Sequence, residues 1–132
     1  MRIILASASP RRCELLKEVI GSFDVVIADL DEAQFGDVDP RRAAIKIAIA
    51  KADAIAHRHP DALVIAGDTI VASVADQGYE QLAKPHDEAD ACRMLRLLSG
   101  NRHLVITGIA LRGPGIEDDF ADETWVTFRP LS

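Results

Sequence analysis

The sequence predicts an α/β domain in which a mixed, twisted sheet carries flanking helices. Three observations predict it. Residues 3–5 and 62–66 are short, continuously apolar runs, the signature of strands covered on both faces. Between them, Ser9-Pro10 and Asp39-Pro40 each pair a capping side chain with a proline suited to the first helical position. After residue 102 come two further stretches of β-type pattern. At 132 residues and 48% hydrophobic composition, the chain suits one compact domain over residues 1–132 with a single core.

Taken in order, residues 2–6 form the first strand and residues 11–20 a helix. Leu15, Leu16, Val19 and Ile20 make its apolar stripe, and Gly21 stops it. Residues 23–28 read as a second strand, followed by an acidic loop over residues 29–37. Asp39 then caps a long helix running to about His57. Ile45, Ala48, Ile49, Ala52, Ile55 and Ala56 form its buried side, and Lys51 falls at the margin of that face. Residues 62–66 and 69–74 read as strand on either side of an interruption at Gly67-Asp68, and Gln77-Gly78-Tyr79 as a turn. Asp87 caps a third helix with Ala91, Met94, Leu95 and Leu98 facing inward. Residues 103–111 and 124–128 are strands, joined by the turn-rich Arg112-Gly113-Pro114-Gly115 and an acidic stretch. The chain has no internal repeat and no low-complexity tract.

Charge narrows the partners. A formal net charge of −6, spread along the chain, argues against a nucleic-acid polymer, which needs a basic face. Arg11, Arg12 and Lys17 are a local positive spot on an acidic protein, which suits a small anion. Export is not expected, because the N-terminal apolar run is shorter than the roughly 7–15 residues of a signal peptide. No membrane partner is expected either, since no stretch approaches the roughly 20 apolar residues of a spanning helix. Cys13 and Cys92 fall on separate helices without metal-type spacing and read as reduced, partly buried thiols.

The richest local chemistry lies in Leu5-Ala6-Ser7-Ala8-Ser9-Pro10-Arg11-Arg12. A strand ending in small residues and opening a helix offers backbone N–H groups, hydroxyls and two guanidinium forks to a phosphate chain. The alternative is a plain helix start, with Ser9 as N-cap and both arginines solvated. Asp68 stands at the strand interruption, where a buried carboxylate needs water, a cation or a donor; the alternative is a turn residue. Asp29, Asp31 and Glu32 form an acidic cluster of oxygen ligands suited to Mg²⁺ or Mn²⁺, or else a solvated acidic loop.

That N-terminal segment closely resembles the signature of the Maf family, small cytoplasmic nucleoside triphosphate pyrophosphatases also described as septum-formation inhibitors. The resemblance continues in family order through Asp31-Glu32, Lys51-Ala52, Gly67-Asp68-Thr69-Ile70-Val71, Lys84-Pro85, Leu98-Ser99-Gly100 with His103, Thr107-Gly108, and Glu123-Thr124 leading into Val126-Thr127-Phe128-Arg129. It implies a Maf and inosine-triphosphatase-like fold and hydrolysis of a nucleoside triphosphate to the monophosphate and pyrophosphate, with Mg²⁺ or Mn²⁺. By position it implies Asp68 as catalytic acid or base and metal ligand, and Glu32 as metal ligand or water-orienting group. Lys51 and Lys84 correspond to the lysines around the triphosphate, and Ser7, Arg11 and Arg12 to the phosphate cradle. Thr69, with Arg12, matches positions tied to nucleotide preference, and the Asp-Thr pairing resembles the branch acting on dTTP and UTP. His103 reads as structural.

Two departures accompany the resemblance. Gly67 stands where the family more often has alanine or serine. The chain also stops before the family's C-terminal helix and cleft-closing motif, so the expected domain is incomplete at that end. A rival expectation is therefore a catalytically impaired nucleotide-binding or regulatory protein. A second copy of the chain, as a homodimer, is the other partner considered.

Overall fold

A computed structural model describes residues 2–7, 9–30, 32–35, 37, 39–75, 78–82, 87–100 and 102–127. In chain order these form β1 (Ile3–Leu5), α1 (Pro10–Ile20), β2 (Asp24–Val25), a 3₁₀ turn (Glu32–Phe35), α2 (Pro40–Arg58), β3 (Leu63–Ala75), β4 (Gly78–Leu82), α3 (Glu88–Leu98), β5 (Arg102–Gly113) and β6 (Ile116–Thr127). The strands form one mixed sheet in the order β2-β1-β3-β5-β6, with β4 also pairing β3. β1 runs parallel to β2 and β3, whereas β3, β4, β5 and β6 pair antiparallel. The expected α/β class is therefore what forms.

The helix starts follow the local chemistry. Ser9 accepts a hydrogen bond from the Arg12 N–H, Asp39 from Arg41 and Asp87 from Asp90, and proline occupies the first turn of both α1 and α2. Gly21 closes α1 at φ 81°, donating its N–H to the Lys17 carbonyl at 3.0 Å. Pro114-Gly115 makes the tight link between β5 and β6, with Gly115 at φ 75°.

α2 is the central buried helix. Ala48, Ala52 and Ile55 pack on Ile4, Val64, Ala66 and Ala110, while Ala43, Ala44 and Ile47 pack on Ile70, Leu104 and Ile106. The buried face is thus rotated from the expected one, with Ile45, Ile49 and Ala56 only partly buried. Gly108 explains the rotation: a Cβ there would lie 2.4 Å from the backbone of Ala44, so the alanine side of α2 seats directly on β5.

Several expectations are corrected. β3 runs unbroken through Gly67 and Asp68; only its neighbour changes. β1 ends opposite Ile65 and β4 ends at Leu82 opposite Val71, so among the described residues the edge of β3 over residues 66–70 faces no strand. Gly78 and Tyr79 belong to β4 rather than to a turn, while Gln77 lies outside the described residues. The acidic stretch after Gly115 is strand, so β6 begins at Ile116 rather than at 124. Its carboxylates stand on an outer strand, where charge blocks pairing with other chains. The second strand shrinks to two residues. Finally, α1 buries none of its residues: Leu15, Val19 and Ile20 are 54%, 78% and 38% exposed. On α3, Ala91 and Met94 are partly buried, Leu95 is exposed, and the side chain of Leu98 lies outside the described set. Cys13 is partly buried, as expected, while Cys92 is exposed; both are free thiols. No helix among the described residues is long and apolar enough to cross a membrane.

Candidate active site

β1 delivers the chain to the site. Its last residues hydrogen-bond to β3, with the Ala6 N–H on the Ile65 carbonyl at 2.8 Å, and Ser7 follows at 4% exposure. The Ser7 hydroxyl accepts the Ser9 N–H at 3.2 Å, a local turn that leads into the Ser9 cap and α1. One turn into that helix, Arg12 reaches back over the gap in the β3 edge. Its Nη1 donates to Ser7 Oγ at 3.3 Å and to the Gly67 carbonyl at 3.1 Å, and its Nη2 donates to Thr69 Oγ1 at 2.7 Å. Among the described residues these bonds use three of the five guanidinium donors.

Side chains alternate across a strand, so Asp68 lies on the opposite face of β3 from Thr69, toward α2. There Lys51 Nζ stands 3.6 Å from Asp68 Oδ1, with both side chains mostly buried. Arg12 and the Asp68–Lys51 pair therefore flank the same open stretch of strand edge from its two sides. Beneath α1 on the Arg12 side lies an apolar cavity of about 290 Å³, bounded by Leu5, Leu16, Ile65 and Ile109, with Arg12 and Thr107 also lining it.

The structure thus brings together Ser7, Arg12 and Thr69 on one face and Lys51 and Asp68 on the other. Arg11 is exposed. Lys84 lies outside the described residues, as do Asp31 and the side chain of Glu32, and with it the Glu32 half of the expected Glu32–Asp68 metal pair. Among the described residues no cluster of three or more His, Cys, Asp or Glu side chains is positioned to hold a metal by itself.

Four further features, at Thr107, Arg41, Asp37 and His103, come from tertiary contacts and burial. Thr107 Oγ1 lies 3.3 Å from Thr69 Oγ1, and only the β3–β5 register, which sets Thr69 opposite Thr107, makes them neighbours. At the start of α2, Arg41 makes a two-pronged ion pair with Glu123 of β6. Asp37 accepts Lys46 Nζ at 2.7 Å, and that bond holds its carboxyl below the usual range. His103 is 4% exposed, and burial lowers its pKa, which agrees with a structural role.

Comparison with known proteins places the architecture. The fold is shared with the Ham1 protein of Staphylococcus aureus (TM-score 0.69, 20% identity, 95% of this chain and 70% of that one) and with a HAM1 protein from Coxiella burnetii (TM-score 0.67, 16% identity, 95% and 71%). In sequence the chain is 46% identical over 132 residues to a dTTP/UTP pyrophosphatase of Koribacter versatilis (strain Ellin345), covering 100% of this chain and 66% of that protein. It is 44% identical to the dTTP/UTP pyrophosphatase of Deinococcus radiodurans, covering 99% and 65%. The chain therefore spans just under two thirds of the length of these two relatives. The family profile described as Maf-like protein matches residues 2–132, and the chain belongs to the Maf family.

Proposed function

We propose that this chain is a nucleoside triphosphate pyrophosphatase that hydrolyses dTTP and UTP to the monophosphate and pyrophosphate in the cytoplasm. The relatives that carry the name dTTP/UTP pyrophosphatase support the substrate. The observation that carries the chemistry is Arg12, fixed by Ser7, Gly67 and Thr69 at the edge of β3, with the Asp68–Lys51 pair on the opposite face of the same stretch of strand.

In this reading the two remaining donors of Arg12 take phosphate oxygens as a planar fork, with Arg11 and Lys84 adding positive charge along the chain of phosphates. Lys51 has three donors, enough to hold Asp68 and a phosphate oxygen together. The α–β anhydride is then held in line for attack by water. Asp68 takes the proton of that water, and the oxygen bridging to the β phosphorus leaves with pyrophosphate.

The donor set fits Mg²⁺ or Mn²⁺ of the kind held by one or two carboxylates plus substrate phosphates, since Asp68 supplies oxygen beside the phosphate path and Glu32 is the second candidate. When bound, the cation neutralises phosphate charge and makes the attacking water more acidic.

The test is pyrophosphate release from a panel of nucleoside triphosphates, with Mg²⁺ or Mn²⁺ and with EDTA. Release that depends on the cation and prefers dTTP and UTP is expected. Nucleotide binding without release would favour a regulatory binder.

A further inference from the structure

We propose that Thr107 is a positioning residue of the phosphate site, aiming Arg12 through the hydroxyl of Thr69; the inference rests on the pyrophosphatase reading and extends it to a residue on a third element. The Ile65 carbonyl points toward β1, where it accepts the Ala6 N–H, and every second residue of a strand points the same way. Gly67 follows this rule, turning its carbonyl to Arg12 rather than to β5. Thr69 must do the same. Thr69 and Thr107 are therefore a non-hydrogen-bonded pair across β3 and β5, the position at which opposite side chains approach most closely.

Thr69 Oγ1 is held between two partners. A guanidinium only donates, so Thr69 Oγ1 accepts from Arg12 Nη2 at 2.7 Å. Thr69 Oγ1 also shares a hydrogen bond with Thr107 Oγ1 at 3.3 Å, which either hydroxyl can donate. A threonine gripped at both ends keeps one rotamer, and its oxygen stays where Arg12 needs it. Without Thr107, the Thr69 hydroxyl turns about Cα–Cβ and the Nη2 end of the fork loses its fixed anchor. Ser7 and the Gly67 carbonyl still hold Nη1, so Arg12 stays in the site but its fork tilts.

Thr107→Val has nearly the same shape and sits in a strand beside Val105 and Ile109, so the sheet is preserved. Thr107→Ser keeps the hydroxyl. With UTP as substrate, Thr107→Val should raise KM about threefold to tenfold, the effect of one hydrogen bond, with kcat within about twofold. Thr107→Ser should restore the parent KM. In the ligand-free protein, the Arg12 Nε–H signal in an ¹H–¹⁵N spectrum should shift and broaden in Thr107→Val and stay put in Thr107→Ser. An Arg12 signal unmoved by Thr107→Val would overturn the inference whether or not the chain turns over UTP. So would a serine variant that behaves like valine. The expected Arg12 response in a chain without turnover would support the relay and count against the pyrophosphatase reading alone.

Discussion

Arg12 is held from three directions by groups on two elements, a hydroxyl and a carbonyl on its Nη1 and a hydroxyl on its Nη2. That arrangement makes the neighbouring Gly67 informative. Its backbone does not require glycine, since the positive-φ glycines among the described residues are Gly21, Gly100 and Gly115. An added Cβ would meet Arg12 Nε and the Gly108 carbonyl at 3.4 Å, an ordinary contact. Gly67→Ala should therefore fold with Arg12 in place and gain about 0.4–1 kcal/mol from the stiffer unfolded chain. Urea denaturation checks this, and a loss above about 1 kcal/mol would mean the site tolerates no side chain there. At this scale the sequence was informative where the chemistry is local. Ser7, Ser9 and Arg12 lie within one turn of chain, and their spacing alone suggests a phosphate cradle. Thr107 was not legible as a partner of Thr69, because nothing in a single sequence fixes which residues of two strands stand opposite.

Between elements, the decisive contact is the seat of α2 on β5. Gly108 is opposite Asp68 in the register, and the backbone of Ala44 occupies the space a side chain would fill. Gly108→Ala should push α2 outward, at a cost of about 1–3 kcal/mol or more for overpacking against rigid backbone. Lys51 rides on the same helix, so the 3.6 Å pair with Asp68 should open and activity should fall by more than the unfolded fraction explains. Thermal denaturation together with initial rates on the folded protein separates the two effects. Helix starts were readable here because caps and prolines act over three or four residues. Strand limits were less so. The acidic composition of β6 looks like loop until the strand is known to lie at the outside of the sheet, where one ladder partner suffices and charge is favourable. The Gly67-Asp68 interruption was real as a feature of the sheet edge but not of the strand itself.

Across the whole molecule, one face of the sheet is sealed by α2, while the other carries α1, the 290 Å³ cavity and the exposed Leu15, Val19 and Phe120. An amphipathic stripe in sequence states that a helix can bury a face; whether it does depends on what lies across from it, which explains why the expected stripe of α1 stands open. His103 is buried with a lowered pKa, so the unfolded chain takes up a proton in a range where the folded one does not. Its contribution is full above its ordinary pKa of about 6.5 and shrinks as pH falls below that value. Asp37, held below its ordinary value of 3.8 by Lys46, contributes in the same direction at still lower pH. Stability should therefore drop between about pH 7.5 and about pH 5.5, and His103→Gln should flatten that slope. Denaturant midpoints at the two pH values decide it; a slope unchanged by His103→Gln would assign the loss to other groups.

In the proposed reaction Asp68, paired with Lys51 at the open edge of β3, moves the proton of the attacking water. The most direct test compares the parent chain with Asp68→Asn, which keeps size and shape but cannot take the proton. Pyrophosphate release from UTP with Mn²⁺ or Mg²⁺ should fall by at least about 100-fold in the variant, with nucleotide binding by calorimetry within a few fold of the parent. Turnover left unchanged by Asp68→Asn would remove Asp68 from the proton transfer.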